Sequence, residues 1–320
     1  MGRALVLAGG GITGIAWESG VLAGLAAEGI DTQDWDLVVG TSAGAFVGAR
    51  LTGDGSPEPL FAMQTSGNDD AEEDALRTLL GSGFVRFLRL SRRRALRWIG
   101  LIWLVQLIVT SLMRFAVRHG IRSTIRLVKS LRPGVNPDPQ FLAAQIGAVA
   151  IMKRMGSAEL IAYWEHELGQ IREWPATGLI TTAVDAADGS RIAFEAASGV
   201  SLVAAVAAST CLPLLLPPPT LLGRRYIDGG FASAANADLA AGHEEVWIVS
   251  PFGPASLDLQ VADLQASGST VQLIRPSSAA EATLGPGIGV MDPMRRSNAA
   301  RAGFADGRAA TKAHRPDHVG

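Results

Sequence analysis

Apolar residues along the chain fall into short unbroken runs that alternate with runs at helical spacing. Ala4 to Ala8 is the first unbroken run and predicts a short buried strand. After a glycine cluster, Val21, Leu22, Leu25 and Ala26 recur at helical spacing and predict a helix from Ile15 to Glu28. Gly29 ends it, as a helix C-terminus commonly requires. Trp35 to Val39 predicts a second buried strand. A turn follows at Gly40 to Gly44, then a helix from Ala45 to Leu51. This order of strand, turn and helix, met twice, argues for an α/β fold with a parallel sheet.

Further on, Gly53 to Asp74 is acidic, contains Gly, Ser and Pro, and reads as a loop. An apolar and basic stretch from Phe84 to Leu131 ends at the turn signal Pro133-Gly134. Pro139 to Gly169 is a mixed helical region. Thr177 to Val184 and Arg191 to Ala196 flank Asp188-Gly189, which predicts a hairpin. Leu202 to Ser209 is helical, and Pro213 to Pro219 is rigid extended chain. Arg225-Tyr226-Ile227 then leads into Asp228-Gly229-Gly230. Glu245 to Ser250 and Thr270 to Arg275 are further strands. From Ala302 the tail is polar and helical, and it frays from Ala313. The expected organisation is one domain over 1–320, with 53–140 as an acidic loop plus helical insert and 313–320 as a frayed tail.

Composition narrows the classes. The chain has 320 residues with 48% hydrophobic residues and net charge −2, which excludes intrinsic disorder and argues against a nucleic-acid partner. Cys211 is the single cysteine, so no disulfide framework exists, and its apolar surroundings make it structural. Arg outnumbers Lys 25 to 3, a balance expected of a GC-rich bacterial genome. The first strand is too short for a signal-peptide core and lacks a cleavage site. The average charge hides an asymmetry. Between Asp74 and Asp138 there are 13 basic residues and no acidic one, which leaves −15 on the rest of the chain.

Two glycine motifs and one acidic turn carry candidate chemistry. Gly40-Thr41-Ser42-Ala43-Gly44 fits the pattern of a nucleophile elbow. A sharp turn there strains the serine and exposes its hydroxyl. Small residues at Gly40 and Gly44 let strand and helix pass closely, and the helix N-terminus favours developing negative charge. The competing use of Ser42 is a plain helix cap. Gly9-Gly10-Gly11-Ile12-Thr13-Gly14 also sits between strand and helix, where consecutive amides can form an anion-binding nest. Its glycines fit a dinucleotide fingerprint too, but that fold expects an acidic residue at the end of the second strand. Ser42 stands there instead. Gly9, Gly10 and Gly11 are therefore read as an oxyanion hole. None of the five histidines adjoins a strand-end motif, apart from His243 before Glu245. Asp228, entering a tight turn at Gly229 and Gly230 from an aliphatic approach, is the better general base. A bare turn is its competing reading. No metal-ligand spacing is present, and no cofactor is expected.

These three motifs in this order, with Ser209-Thr210-Cys211-Leu212-Pro213 before the proline run, resemble the patatin-like phospholipase family. The resemblance covers residues 3–52 and 177–252. It implies a three-layer α/β/α fold with a mainly parallel central sheet. It also implies lipid acyl hydrolysis by a serine–aspartate dyad without histidine, acting on a phospholipid or lysophospholipid. Carried over, Ser42 is the nucleophile, Asp228 its base, and the backbone of Gly10 and Gly11 the oxyanion hole. Many members of the family have a basic residue where Thr13 stands here. A thioesterase or general carboxylesterase with the same dyad, and a non-catalytic membrane-associated protein, remain as alternatives.

The insert then acquires a use. Trp98 to Met113 is 16 residues without a charge, short of the roughly 20 a membrane-spanning helix needs. On a helical wheel Arg89, Arg93, Arg114, Arg118 and Arg122 share one side, opposite a face of Leu, Ile, Val, Phe and Trp. That pattern suits an interfacial helix on anionic lipid. The expectation is a cytoplasmic protein in peripheral contact with membrane through 84–131. Packing on the protein's own core or in a homo-oligomer is the competing use of that apolar face.

Overall fold

The computed structural model describes residues 2–66, 157–213, 215–285 and 287–314. The insert at 84–131 and the tail from 315 lie outside the described residues, so the interfacial-helix expectation does too.

Among the described residues eight strands form the sheet: β1 (Arg3–Leu7), β2 (Leu37–Thr41), β3 (Gly178–Asp185), β4 (Arg191–Phe194), β5 (Thr220–Leu221), β6 (Arg224–Asp228), β7 (Glu245–Val249) and β8 (Thr270–Ile274). Strands β3, β2, β1, β7 and β8 lie side by side and run parallel. In β1, β2 and β7 the sequence reads as a nearly unbroken apolar run because both faces are covered. In β1, Leu5 and Leu7 enter one core while Ala4 and Val6 enter the other. In β7, Trp247 and Val249 share the first core, and Val246 and Ile248 the second.

Helices α1 (Gly11–Ala27), α2 (Ala43–Asp54), α3 (Glu58–Thr65), α4 (Ala158–Leu168), α5 (Leu202–Ser209), α7 (Ser278–Leu284) and α8 (Arg296–His314) contribute to the first core. Helix α6 (Ala255–Ala266) and the 3-10 turn Ala237–Ala240 cover the second. Layers of helix, mostly parallel sheet and helix result, as the α/β/α expectation required. Helix α1 is buried nearly all round because α8 lies over the side that the sheet leaves open.

Sheet register sets up the site. Thr181 and Thr182 of β3 pair with both β2 and β4, so those two strands flank β3 on opposite edges. Ala183 and Val184 pair with both β4 and β6, so β6 takes the edge that β2 has just left. Strand β6 runs antiparallel there. The end of β2 and the end of β6 therefore meet head-on, with Thr41 opposite Thr182 and Asp228 opposite Ala183.

The expected strands and the Leu202–Ser209 helix stand where the pattern placed them, within two residues. The loop expected over 53–74 is corrected in its middle, where Glu58–Thr65 is helical. Pro57 and Pro59 start that helix rather than break it, since its first turn needs no backbone N–H. Helix α1 begins at Gly11 rather than Ile15, so its first turn is part of the glycine motif.

One turn breaks a local rule. Leu221 pairs with Arg224, leaving Leu222-Gly223 as a two-residue turn with φ of 49° and 78°. Both positions are left-handed, where Asn-Gly is the preferred pair. Leu222 is also 70% exposed. Leu222→Asn is expected to raise stability by about 1 kcal/mol, through relief of that backbone conformation. A thermal midpoint at or below the parent's would refute this.

Candidate active site

Ser42 follows β2 directly and opens α2. Its backbone sits at φ 53° and ψ −114°, a conformation that L residues hold only when their surroundings enforce it. The enforcement is steric. A Cβ at Gly44 would overlap the carbonyl of Leu7, and one at Gly40 would overlap the backbone of Gly44 and Ala45. Helix α2 thus leaves the strand at a distance only glycine allows. Ser42 occupies the cap position of α2, yet its side chain makes no capping bond. Instead Ser42 Oγ donates to Asp228 Oδ2 at 2.6 Å. The backbone N–H of Ser42 donates to Ser209 Oγ at 2.9 Å, which ties the elbow to the end of α5.

Asp228 ends β6 and is 2% exposed. Its second oxygen, Oδ1, accepts from the Gly230 N–H at 2.8 Å. Its own N–H donates to the Cys211 carbonyl. Burial pushes the carboxyl up to about 6, against the hydrogen bonds from Ser42 and Gly230, which hold it down. Gly229 passes so close over Thr182 that a side chain there would overlap it. Both glycines of the acidic turn therefore have a geometric task.

Beneath the pair lies a buried polar cluster. Asn236 Nδ2 donates to Thr41 Oγ1 at 2.9 Å and to Thr182 Oγ1 at 3.1 Å. It also reaches the Ser233 carbonyl at 2.9 Å. These bonds join the end of β2, the middle of β3 and the segment after the acidic turn. Nothing local marks Asn236 in the sequence. Its distance of eight residues from Asp228 is no motif, and its partners are far away in the chain.

The glycine turn lies across from Ser42. The N–H of Gly9 donates to the Ala234 carbonyl at 2.9 Å, so it is engaged. Gly10 and Gly11 lead into α1, whose N-terminus carries partial positive charge. Gly11 has φ 62°, and a Cβ there would press on Val290 and Met291. Thr13 is fully buried, and its Oγ1 donates to the Leu284 carbonyl at 3.0 Å. At this position the chain uses a structural tie to α7 instead of a cation. Glu18, one turn further along, is buried, and burial raises its carboxyl well above the usual range.

Ser42 opens into a narrow cleft of about 70 Å³. Ile12, Ile15, Phe46, Leu160 and Leu212 give it an apolar wall. His243 is held at the Ala240 carbonyl, and neither it nor His166 lines this cleft. Among the described residues no cluster of His, Cys, Asp and Glu could hold a metal ion. Cys211 is fully buried. Among the described residues no helix is long and apolar enough to cross a membrane.

Residues 5–241 match the family model for patatin-like phospholipase. No curated protein is significantly similar to the chain. Among solved structures, VipD from Legionella pneumophila is 14% identical, with 98% of this chain and 67% of that chain covered and a TM-score of 0.42. The type III effector protein ExoU is 17% identical, with 95% of this chain covered and a TM-score of 0.33. The alignment spans about half of that effector, 53%. By a family match over most of its length, the chain belongs to the patatin-like phospholipase family of lipid hydrolases.

Proposed function

We propose that the protein hydrolyses the fatty-acyl esters of a phospholipid or lysophospholipid through a Ser42–Asp228 dyad. The observation that carries this reading is the 2.6 Å bond from Ser42 Oγ to a buried carboxylate, with Ser42 lining a mainly apolar cleft. Ser42 Oγ attacks the ester carbonyl carbon as its proton passes to Asp228 Oδ2. The carbonyl oxygen becomes an oxyanion, which the N–H groups of Gly10 and Gly11 stabilise. Collapse expels the alcohol, which takes the proton from Asp228 and leaves an acyl-serine. A water then attacks that ester while Asp228 accepts its proton. The fatty acid departs, and the proton returns to Ser42 Oγ.

An aspartate is a weak base, and its burial is what makes it serviceable. At about 6 its affinity for protons lies closer to neutrality than that of an exposed aspartate. Peripheral contact with anionic lipid through 84–131 belongs to this reading and rests on the charge and apolar pattern alone. A fluorophosphonate probe tests the nucleophile. Labelling is expected on the intact protein, lost in Ser42→Ala, and increasing in rate as pH rises through about 6 and Asp228 ionises. Absence of labelling on intact, folded protein would defeat the proposal.

A further inference from the structure

Ser42 and Asp228 are held on strands that pair with β3 but not with each other. Strand β2 ends at Thr41 and β6 ends at Asp228, and each in turn takes the same edge of β3. The separation of the two reacting groups therefore depends on what spans the gap between the strand ends. Asn236 spans it. Its Nδ2 donates to the hydroxyl of Thr41, the residue before Ser42, at 2.9 Å. The same nitrogen lies 3.5 Å from the carbonyl of Gly229, the residue after Asp228. It also donates to Thr182 Oγ1 at 3.1 Å, and Thr182 is the residue over which Gly229 passes. Thr41, Thr182 and Asn236 are all fully buried.

The direction of the amide is fixed. Ser233 and Gly229 present carbonyl oxygens, which only accept, so the nitrogen must face them. On the other side Asn236 Oδ1 accepts from Arg191 Nη1 at 3.3 Å, and a guanidinium only donates. Arg191 is itself held by a two-pronged ion pair with Asp238, at 2.7 Å to each carboxylate oxygen. Asn236 sits at φ 52°, in the left-handed region that asparagine tolerates better than most residues. We infer that Asn236, oriented by Arg191, is a positioning residue that sets the distance from Ser42 Oγ to Asp228 Oδ2 for proton transfer. It acts through Thr41 and Gly229 rather than on the reacting atoms. The inference rests on the proposed function, since it takes this pair to be the dyad. A misplacement of about 1 Å at a reacting pair costs on the order of 100-fold in rate. A purely structural role would instead cost stability and leave the rate of the folded protein alone.

The test uses the full chain carrying Asn236→Ala or Thr41→Val, exchanges that alter no charge. Thr41→Val keeps the shape of the side chain and decides the matter should Asn236→Ala fail to fold. The control is Thr311→Val, which removes a buried hydroxyl bonded to the Gly307 carbonyl within α8. Below the thermal midpoint of every variant, fluorophosphonate labelling is expected to slow at least about tenfold in Asn236→Ala and at least about threefold in Thr41→Val. Thr311→Val should label at the parent's rate. A second readout needs no reaction. Carbon-13 NMR of carboxyl-labelled aspartate follows the titration of Asp228, whose signal is assigned by its loss in Asp228→Asn. The hydrogen bond from Ser42 holds that carboxyl down, so a longer bond should raise the midpoint above the parent's value of about 6. In a Ser42→Ala background the bond is already gone, and neither substitution should raise the midpoint further. Unchanged labelling rates and midpoints in both variants would overturn the inference. A rise that persists in the Ser42→Ala background would overturn it too, because it would then not come from the distance between the two groups. If the parent does not label while the midpoints move as expected, the proposed function fails and the positioning role stands.

Discussion

Asp228→Asn is expected to lower kcat by about 10³- to 10⁴-fold and, above pH 6, to make the protein more stable. The first effect follows from the loss of the carboxylate that accepts the Ser42 Oγ hydrogen bond and can take its proton. The second follows from linkage. Burial raises the folded-state pKa of Asp228 to about 6, while the unfolded chain titrates near 3.8. A group raised in this way contributes its stability fully below the unfolded value. That contribution is lost as pH rises towards the folded value. Above about pH 6 the folded state holds a buried charge, at a cost of about 2–3 kcal/mol. Asparagine does not titrate and keeps a carbonyl for the Gly230 N–H. Urea unfolding at a series of pH values should give parent and variant curves that approach each other near pH 4 and separate by pH 8. A variant less stable at pH 8 would mean that the carboxylate stabilises the fold, and the assignment of a strained, functional acid would fall.

That trade shows why the proposed dyad is marked in the sequence. Ser42 and its glycines impose a backbone geometry that few residue types tolerate, so the requirement is written into adjacent positions. The acidic turn is similar, because Gly229 and Gly230 sit where a side chain has no room or where an amide must reach Asp228. Strands β1, β2 and β7 were equally readable, since burial of both faces leaves a nearly unbroken apolar run. What was not readable depends on distant pairing. No local pattern says that β6 takes the edge of β3 beyond β2, and that placement alone brings Asp228 to Ser42. Asn236 was missed for the same reason, as its bonds run to Thr41 and Thr182. Helix α3 was hidden by prolines that start it, and α6 by having only Leu257 and Leu264 buried among its twelve residues. The residues alone offer Gly9, Gly10 and Gly11 as oxyanion donors, and the family resemblance implies Gly10 and Gly11 among them. The bond from Gly9 to Ala234 divides them, leaving Gly10 and Gly11 as the proposed donors.

The contact between α1 and α8 was also invisible, and it supports the second large effect. Gly303→Leu is expected to destabilise the fold by more than about 3 kcal/mol, whereas Ala309→Leu on the exposed side of the same helix should change it by less than about 0.5 kcal/mol. The two helices meet through glycines on both sides. A Cβ at Gly303 would overlap the Trp17 carbonyl, and one at Gly307 the Val21 carbonyl. Reciprocally, a Cβ at Gly20 would overlap the Ala300 carbonyl, and one at Gly24 the Phe304 carbonyl. The obstacle is backbone in every case, so no rotamer change relieves it and the helices must part. Parting them uncovers Trp17, which is fully buried and donates from Nε1 to Asp306 at 2.8 Å. It also removes the Arg308–Glu28 ion pair at 2.5 Å. Because α1 begins at Gly11, loosening it should reach the proposed oxyanion donors. Fluorophosphonate labelling of Gly303→Leu should therefore be slower than the parent's even at temperatures where the variant remains folded. The urea midpoint, with an unchanged m-value, measures the stability loss. A loss under 1 kcal/mol would show that α8 is not seated backbone to backbone on α1. Helix α8 lies beyond the family-matched residues 5–241, so the helix that closes over α1 is drawn from outside the matched segment.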